Sequence, residues 1–193
     1  LPFTTDQIRQ TVFTGANSVN AFMQETSFGA VSITGRDRAD GDVYPTVQIA
    51  SDPATCSEDT YSAAARAALQ AQGVTTLQGN GGDGYQHYVY LWPRLASCGY
   101  AGLGSVPGRD TWINGALRVS VISHELGHNF GLAHANALTC RDGAGAPVVL
   151  SDICSSVAYG DPFETMGDGG MHYSAMSKAF LGWFDPGQNV RVT

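Results

Sequence analysis

Hydrophobic residues recur at helical spacing in four parts of the chain. Residues 6–23 follow this spacing with a weak point at Gly15, and residues 57–72 (SEDTYSAAARAALQAQ) have the most helical composition. The same spacing extends over residues 114–130 and 174–183. Glycine weakens the first segment because it is costly in a helix interior. The pattern therefore predicts four helices.

Strand patterns lie between these helices. FGAVSITG (28–35) alternates, VYPTVQIA (43–50) is strand-like, and HYVYLW (87–92) combines aromatic and β-branched residues. Pro45 has no amide hydrogen, so the second segment should be an edge strand or the start of a strand. Residues 131–170 show little regular pattern. The order helix, strands, helix, strand, helix, loops, helix predicts one α+β domain.

Composition limits the class of protein. The chain has 193 residues, and we expect residues 1–193 to form one domain. Its 43% hydrophobic and 14% charged content excludes a disordered chain. The net charge of −7, with no basic run, argues against a nucleic-acid partner. No apolar window is long enough to span a membrane. Because the chain starts at Leu1 without a methionine or a signal region, we expect a processed or trimmed chain.

Four cysteines predict disulfide bonds. Cys56, Cys98, Cys140 and Cys154 form no C-x-x-C pair, which argues against a structural zinc knot. An even count at wide spacing favours two disulfides and an oxidising, extracellular compartment. Of the three pairings we favour Cys56–Cys98 and Cys140–Cys154, which join neighbours in sequence. Four buried free thiols are the alternative.

Two segments are rich in aspartate and glycine. DRADGD (37–42) and GNGGDGY (79–85) could hold calcium, but neither has the spacing of a recognised calcium loop. We therefore expect plain turns in both places, with calcium as the less favoured alternative.

The segment VISHELGHNFGLAH (121–134) carries candidate chemistry. His124 and His128 are four residues apart, so on a helix they share one face and can share a metal ion. Glu125 points about 100° away round the helix. It is a poor ligand there, but it can act as general base toward a metal-bound water.

A third histidine extends this pattern. A straight helix would turn His134 away from the first two, but Gly131 can adopt a positive φ and end the helix, so that the chain returns. Three imidazoles and a water form a catalytic zinc arrangement. A lone HExxH can also occur in an ordinary amphipathic helix. Here all five fixed positions of HExxHxxGxxH are present, which favours the metal site.

These residues resemble a known family. HELGHNFGLAH is similar to the extended zinc signature of the metzincin metallopeptidases, and within them the chain resembles the gametolysin group. The likeness includes YGDPFETMG (159–167), K-x-x-L-G-W (178–183) and CGYAGLGSVPGRDTWING (98–115), and it is looser in the first half of the chain. Some gametolysin-type enzymes have glutamine in place of the first histidine ligand, whereas this chain has His124.

The resemblance implies a metzincin-like α+β fold. A twisted mixed sheet backed by two helices would form an N-terminal subdomain of about residues 1–131. An irregular C-terminal subdomain, about residues 132–193, would end in a helix. A polypeptide substrate would bind extended in a cleft, paired with an edge strand of the sheet.

The implied activity is that of a secreted zinc endopeptidase, acting as a monomer with one catalytic zinc. Zinc would lower the pKa of its bound water and polarise the scissile carbonyl, and Glu125 would move the proton to the leaving amine. Two alternatives remain. One is a non-catalytic, zinc-stabilised binding module, which the presence of Glu125 disfavours. The other is a narrow processing peptidase for one extracellular glycoprotein.

Residues 159–176 raise two further hypotheses. Metzincins have a methionine turn beneath the zinc ligands, and Met166 is the favoured candidate because it lies in the stretch that resembles the family. Met171 is the alternative, because Tyr173 follows it by two residues, as in several metzincins. Tyr173 could stabilise the oxyanion or act as an extra ligand, with His172 as a further candidate. The simpler interpretation is that Tyr173 packs at the start of the last helix.

Overall fold

The computed structural model of the protein describes residues 2–74, 77, 84–151 and 153–184. Contacts between Cα atoms group the chain into two units, residues 1–131 and residues 132–193, and each is described by itself. Within the described residues, no helix combines the length and hydrophobicity needed to cross a membrane.

The first unit begins with two short helices, where the sequence predicted one over residues 6–23. Helix α1 (Thr5–Arg9) starts at a capping box on Thr4 and continues as one π-helical turn, Gln10–Thr14. Gly15 then takes an extended conformation, and α2 (Val19–Thr26) starts from the Ser18 cap. The single-helix prediction was therefore wrong at its weak point, because Gly15 breaks the helix.

The other helices of this unit bear out their predictions in part. Helix α3 (Glu58–Ala71) matches the predicted segment and is followed by Gly73 at φ 94°. Helix α4 (Val119–Asn129) carries the histidine motif but begins later than predicted. The helix prediction was wrong over residues 114–118, because Asn114 ends a strand and Gly115 turns the chain at φ 70°.

A three-stranded mixed sheet lies in the first unit. Strands β1 (Tyr88–Trp92) and β3 (Asp110–Asn114) pair in parallel, and β2 (Gly102–Gly104) pairs antiparallel with β3. The order β1-β3-β2 places β3 at the centre and β2 at one edge. Helix α4 packs against β2, β3 and α2. Buried hydrophobic residues on these elements include Val19, Met23, Ile113, Ile122 and Leu126.

Two predicted strands are not formed. Residues 28–35 and 43–50, all of which the structure describes, belong to no strand. In the first segment, two backbone amides bond side chains instead of a neighbouring strand. The amide of Val31 donates to Ser27 Oγ at 2.9 Å, and that of Ile33 donates to Asn20 Oδ1 at 2.7 Å. In residues 28–35, hydrophobic alternation over-predicted a strand because polar side chains of α2 and its C-cap accept these backbone hydrogen bonds.

The second unit has a hairpin and a terminal helix. Strands β4 (Ala137–Cys140) and β5 (Cys154–Val157) pair antiparallel in a region where the sequence showed little regular pattern. Helix α5 (Ala175–Phe180) starts at the Ser174 cap, as predicted. The protein is thus a mixed α+β structure with small sheets and few helices.

Two disulfides link the cysteines in the pairs that the spacing favoured. Cys56 is bonded to Cys98 in the first unit, and Cys140 is bonded to Cys154 in the second. The second disulfide joins residues that also face each other in the β4–β5 register. It therefore closes the base of the loop that connects the two strands.

Candidate metal centre

Two of the three candidate ligands project from one face of α4. His124 and His128 are one turn apart, and their ring centroids are 4.9 Å apart with the planes at 82°. His128 is buried and His124 is half-buried. The regular helix therefore fixes both side chains without help from loop structure.

Gly131 redirects the chain after the second histidine. Its φ of 98° lies in the left-handed region, and its amide donates to the carbonyl oxygen of His128 at 2.8 Å. This conformation favours glycine because a Cβ atom would be strained there. The sequence-based prediction of a helix end at Gly131 is confirmed.

The third histidine joins the first two. Ligand atoms of His124, His128 and His134 all lie within 4.8 Å of one another. Tetrahedral zinc with nitrogen ligands at about 2.0–2.1 Å requires those nitrogens to be about 3.4 Å apart, so small side-chain movements suffice. Three imidazoles leave one of four positions open, which is the donor set of a catalytic site. The three histidines are positioned to hold a metal ion.

Glu125 lies on α4 beside the first histidine and is 6% exposed. Burial raises the pKa of its carboxyl group to about 7. The side chain contacts β2, because a Cβ atom added to Gly102 would lie 2.6 Å from Glu125 Oε1. No sequence pattern signals this role of Gly102, because the role depends on a contact between distant segments.

Asn129 attaches the end of α4 to neighbouring segments. Its Nδ2 donates to the carbonyl oxygens of Ser105 at 3.1 Å and Asp110 at 3.0 Å, and its Oδ1 accepts from Thr111 Oγ1 at 3.1 Å. His87 Nδ1 lies 3.2 Å from Asn129 Oδ1, and burial lowers the pKa of His87. These contacts indicate a structural role for His87, and they anchor Asn129, which is next to the candidate ligand His128.

Met166 is fully buried and bonded to the segment that carries His134. Its carbonyl oxygen accepts the amide hydrogen of Ala135 at 2.9 Å. Met171, the alternative candidate for the methionine turn, is 60% exposed. Burial and the bond to Ala135 therefore favour Met166 over Met171 as the candidate for the methionine turn, and its place beneath the histidines stays a prediction.

The loop after Met166 is closed by polar contacts at its ends. Glu164 Oε1 accepts from the amide of Ser174 at 3.0 Å and from the hydroxyl of Ser177, at the first turn of α5. The hydroxyl of Thr165 donates to the carbonyl oxygen of Met171. Glu164 and Thr165 thus explain the middle of the PFETMG stretch, which the sequence alone left without a role.

Tyr173 is 2% exposed, and its ring lies 5.6 Å from that of Trp183. His172, the weaker candidate, is exposed. The packing against Trp183 agrees with the simpler interpretation of Tyr173. A role at the reacting carbonyl stays a prediction.

The candidate calcium segments have other contacts or lie outside the described residues. In DRADGD, Asp42 accepts the backbone amides of Arg36, Asp37 and Arg38 and the hydroxyl of Tyr85. Its carboxylate therefore organises the turn. Most of GNGGDGY lies outside the described residues.

Tyr159 is a neighbour of the centre that sequence reasoning missed. Its ring centroid lies 3.8 Å from that of His134, with the planes tilted by 35°. Its φ is 57°, an uncommon value for a tyrosine. YGDPFETMG contains the residue, but only the fold brings it to a histidine 25 positions earlier.

Three histidines beside a buried glutamate, in a mixed α+β protein, define the class of metallopeptidases. The family model described as Gametolysin peptidase M11 matches residues 2–191. The chain therefore belongs to the gametolysin peptidase family, and the peptidase class predicted from the motif is confirmed. Searches of curated proteins and of solved structures found no match.

Proposed function

We propose that this peptidase is a secreted, zinc-dependent endopeptidase with a metzincin-like arrangement. The observation that carries the proposal is the convergence of His124, His128 and His134 next to the buried carboxyl group of Glu125. The two disulfides support an oxidising extracellular compartment.

Each site residue has a proposed role. The three imidazoles would hold the ion, which would supply Lewis acidity for activating water and polarising the scissile carbonyl. Glu125 accepts a proton from the attacking water and delivers it to the amine as the peptide bond breaks. Met166 forms an apolar floor, and Tyr173 is the candidate donor to the developing oxyanion.

The substrate is proposed to bind as an extended polypeptide along β2. Among the described strands, β2 pairs only with β3, so its other edge is open to an added strand. Backbone hydrogen bonds to such an edge would give affinity with little sequence selectivity. This mode of binding suits an endopeptidase.

Replacing Glu125 by glutamine tests the proton-transfer role. Glutamine keeps the shape of the side chain but cannot accept the proton, so kcat should fall by about three orders of magnitude or more. We expect zinc content to stay at one ion per chain. Cleavage of a degenerate peptide library, before and after chelation and zinc restoration, provides the measurement.

The outcomes separate the competing functions. Near-normal activity of Glu125→Gln would remove Glu125 as general base. Tight zinc binding by the unmodified protein without cleavage of any library peptide would favour the non-catalytic binding module. Cleavage confined to one glycoprotein would favour the narrow processing peptidase.

A further inference from the structure

His134 occupies a different structural setting from the other two histidines. His124 and His128 are fixed by α4, whereas His134 follows the helix end in a segment without regular structure. A side chain on such a segment has more rotational freedom than one in a regular helix. The third ligand therefore needs an additional restraint.

The ring of Tyr159 provides such a restraint on His134. The two ring centroids are 3.8 Å apart, and the 35° angle between the planes places the aromatic face against the imidazole. The contact is made by the ring, so the phenolic hydroxyl is not required for it. Rotation of His134 about its side-chain bonds would break the stacking.

The backbone at Tyr159 is itself held in place. Its φ of 57° is accompanied by a hydrogen bond from its amide to Asn136 Oδ1 at 3.1 Å. The next residue, Gly160, donates to the carbonyl oxygen of Val157 at 3.1 Å, and a Cβ there would lie 2.8 Å from that of Ala137. Uncommon backbone conformations persist where the surrounding structure fixes them, and they cluster at functional sites.

We propose that Tyr159 is a positioning residue that holds the imidazole of His134 in its metal-binding orientation. This inference rests on the proposed function, in which His134 is a zinc ligand. Tyr159 acts through His134 and takes no part in proton transfer. Loss of the aromatic ring should therefore weaken zinc binding before it affects substrate binding.

Two substitutions distinguish the contribution of the Tyr159 ring to zinc affinity from those of its backbone conformation and its hydroxyl. Tyr159→Phe keeps the ring, so we expect zinc affinity within about twofold of the unmodified protein. Tyr159→Asn removes the ring but tolerates a positive φ. Loss of a residue that orients a metal-binding histidine typically weakens metal affinity 10- to 100-fold, and we expect at least about tenfold here. Competition with a chromophoric chelator measures the zinc dissociation constant.

Further readouts distinguish positioning from general stability. The zinc-free Tyr159→Asn protein should unfold at nearly the same temperature as the zinc-free unmodified protein. The cobalt-substituted variant should show an altered visible absorption spectrum, because that spectrum reports coordination geometry. With zinc in excess, KM should remain within about twofold. If Tyr159→Asn does not fold, Tyr159→Gly provides the same comparison, since glycine also accepts the positive φ.

The outcomes keep this inference separate from the proposed function. If the unmodified protein binds zinc tightly and the folded Asn or Gly variant binds it equally well, the positioning role is wrong and the proposed function stands. A change confined to KM would make Tyr159 a substrate-contact residue and overturn the inference. If the unmodified protein does not bind zinc, the proposed function itself fails.

Discussion

At the scale of single residues, side chains of the same type differ in burial, and burial changes what each can do. Met166 is fully buried and Met171 is 60% exposed, although only five positions separate them. Glu125 differs from an exposed glutamate in the same way, because burial raises the pKa of its carboxyl group to about 7. Burial, which a sequence does not reveal directly, therefore distinguishes two residues of the same type in one short segment.

The two methionines form a matched pair of substitutions. Met166→Ala should leave a cavity and lower the free energy of unfolding by about 2–5 kcal/mol. Met171→Ala should change it by less than about 0.5 kcal/mol, because most of the side chain is in solvent. Urea unfolding of the zinc-loaded variants measures both values. Equal losses at the two positions would contradict the assignment of Met166 as the floor.

At the scale of elements, the close approach of β2 to α4 controls the space around Glu125. A Cβ at Gly102 would lie 2.6 Å from Glu125 Oε1, and one at Gly104 would lie 3.0 Å from the Cβ of His128. Two glycines in a three-residue strand are unfavourable for strand formation itself. The absence of a Cβ atom at both positions allows β2 to approach α4 closely.

Gly102→Ala should therefore displace the carboxylate of Glu125. A shift of about 1 Å in a reacting group can lower the rate about 100-fold, so we expect a fall of that size in kcat. Zinc content should be unchanged. Gly99→Ala is the control, because no atom lies within 4 Å of a Cβ added there and its φ is not positive. Normal turnover by Gly102→Ala would show that the helix and strand adjust without cost.

Prediction from sequence succeeded where the determining contacts are local. The composition of residues 57–72, the Ser174 cap and the helix end at Gly131 each depend on neighbours a few positions away. For the same reason, the spacing of the histidine motif predicted the three histidines that are positioned to hold a metal ion. These features required no knowledge of the tertiary structure.

Prediction from sequence failed where strand pairing joins distant segments of the chain. Strands β2 to β5 have three to five residues each, too short for a clear period. Their existence depends on partners elsewhere in the chain, such as the parallel pairing of β3 with β1. The contact of Tyr159 with His134 is non-local in the same sense, as is that of Gly102 with Glu125. No pattern within one segment encodes such contacts.

At the scale of the whole molecule, the proposed zinc ion would stabilise the fold separately from the two disulfides. Each disulfide lies within one of the two units. The three histidines are a separate set of residues, and only Cys140 is close to them in sequence. A ligand that binds only the folded state stabilises it by mass action. Zinc should therefore contribute stability that chelation removes while the disulfides stay intact.

Chelation tests this contribution. With free zinc at 1,000 times its dissociation constant, binding adds about 4 kcal/mol of stability, so its removal should lower Tm by about 10 °C. Differential scanning calorimetry under non-reducing conditions measures the shift, and added zinc should reverse it. His128→Ala serves as control and should show little response to either treatment. The same zinc response in that variant would mean that the metal binds elsewhere.

The bonds from Glu164 to the start of α5 have a consequence for how this peptidase can change. They close the ends of residues 164–174, as in an Ω-loop, while Gly170 at the tip has no atom within 4 Å of an added Cβ. The tip can therefore accept new side chains or extra residues without disturbing Met166 at the base. Design can therefore vary this tip while the buried residue at its base stays unchanged.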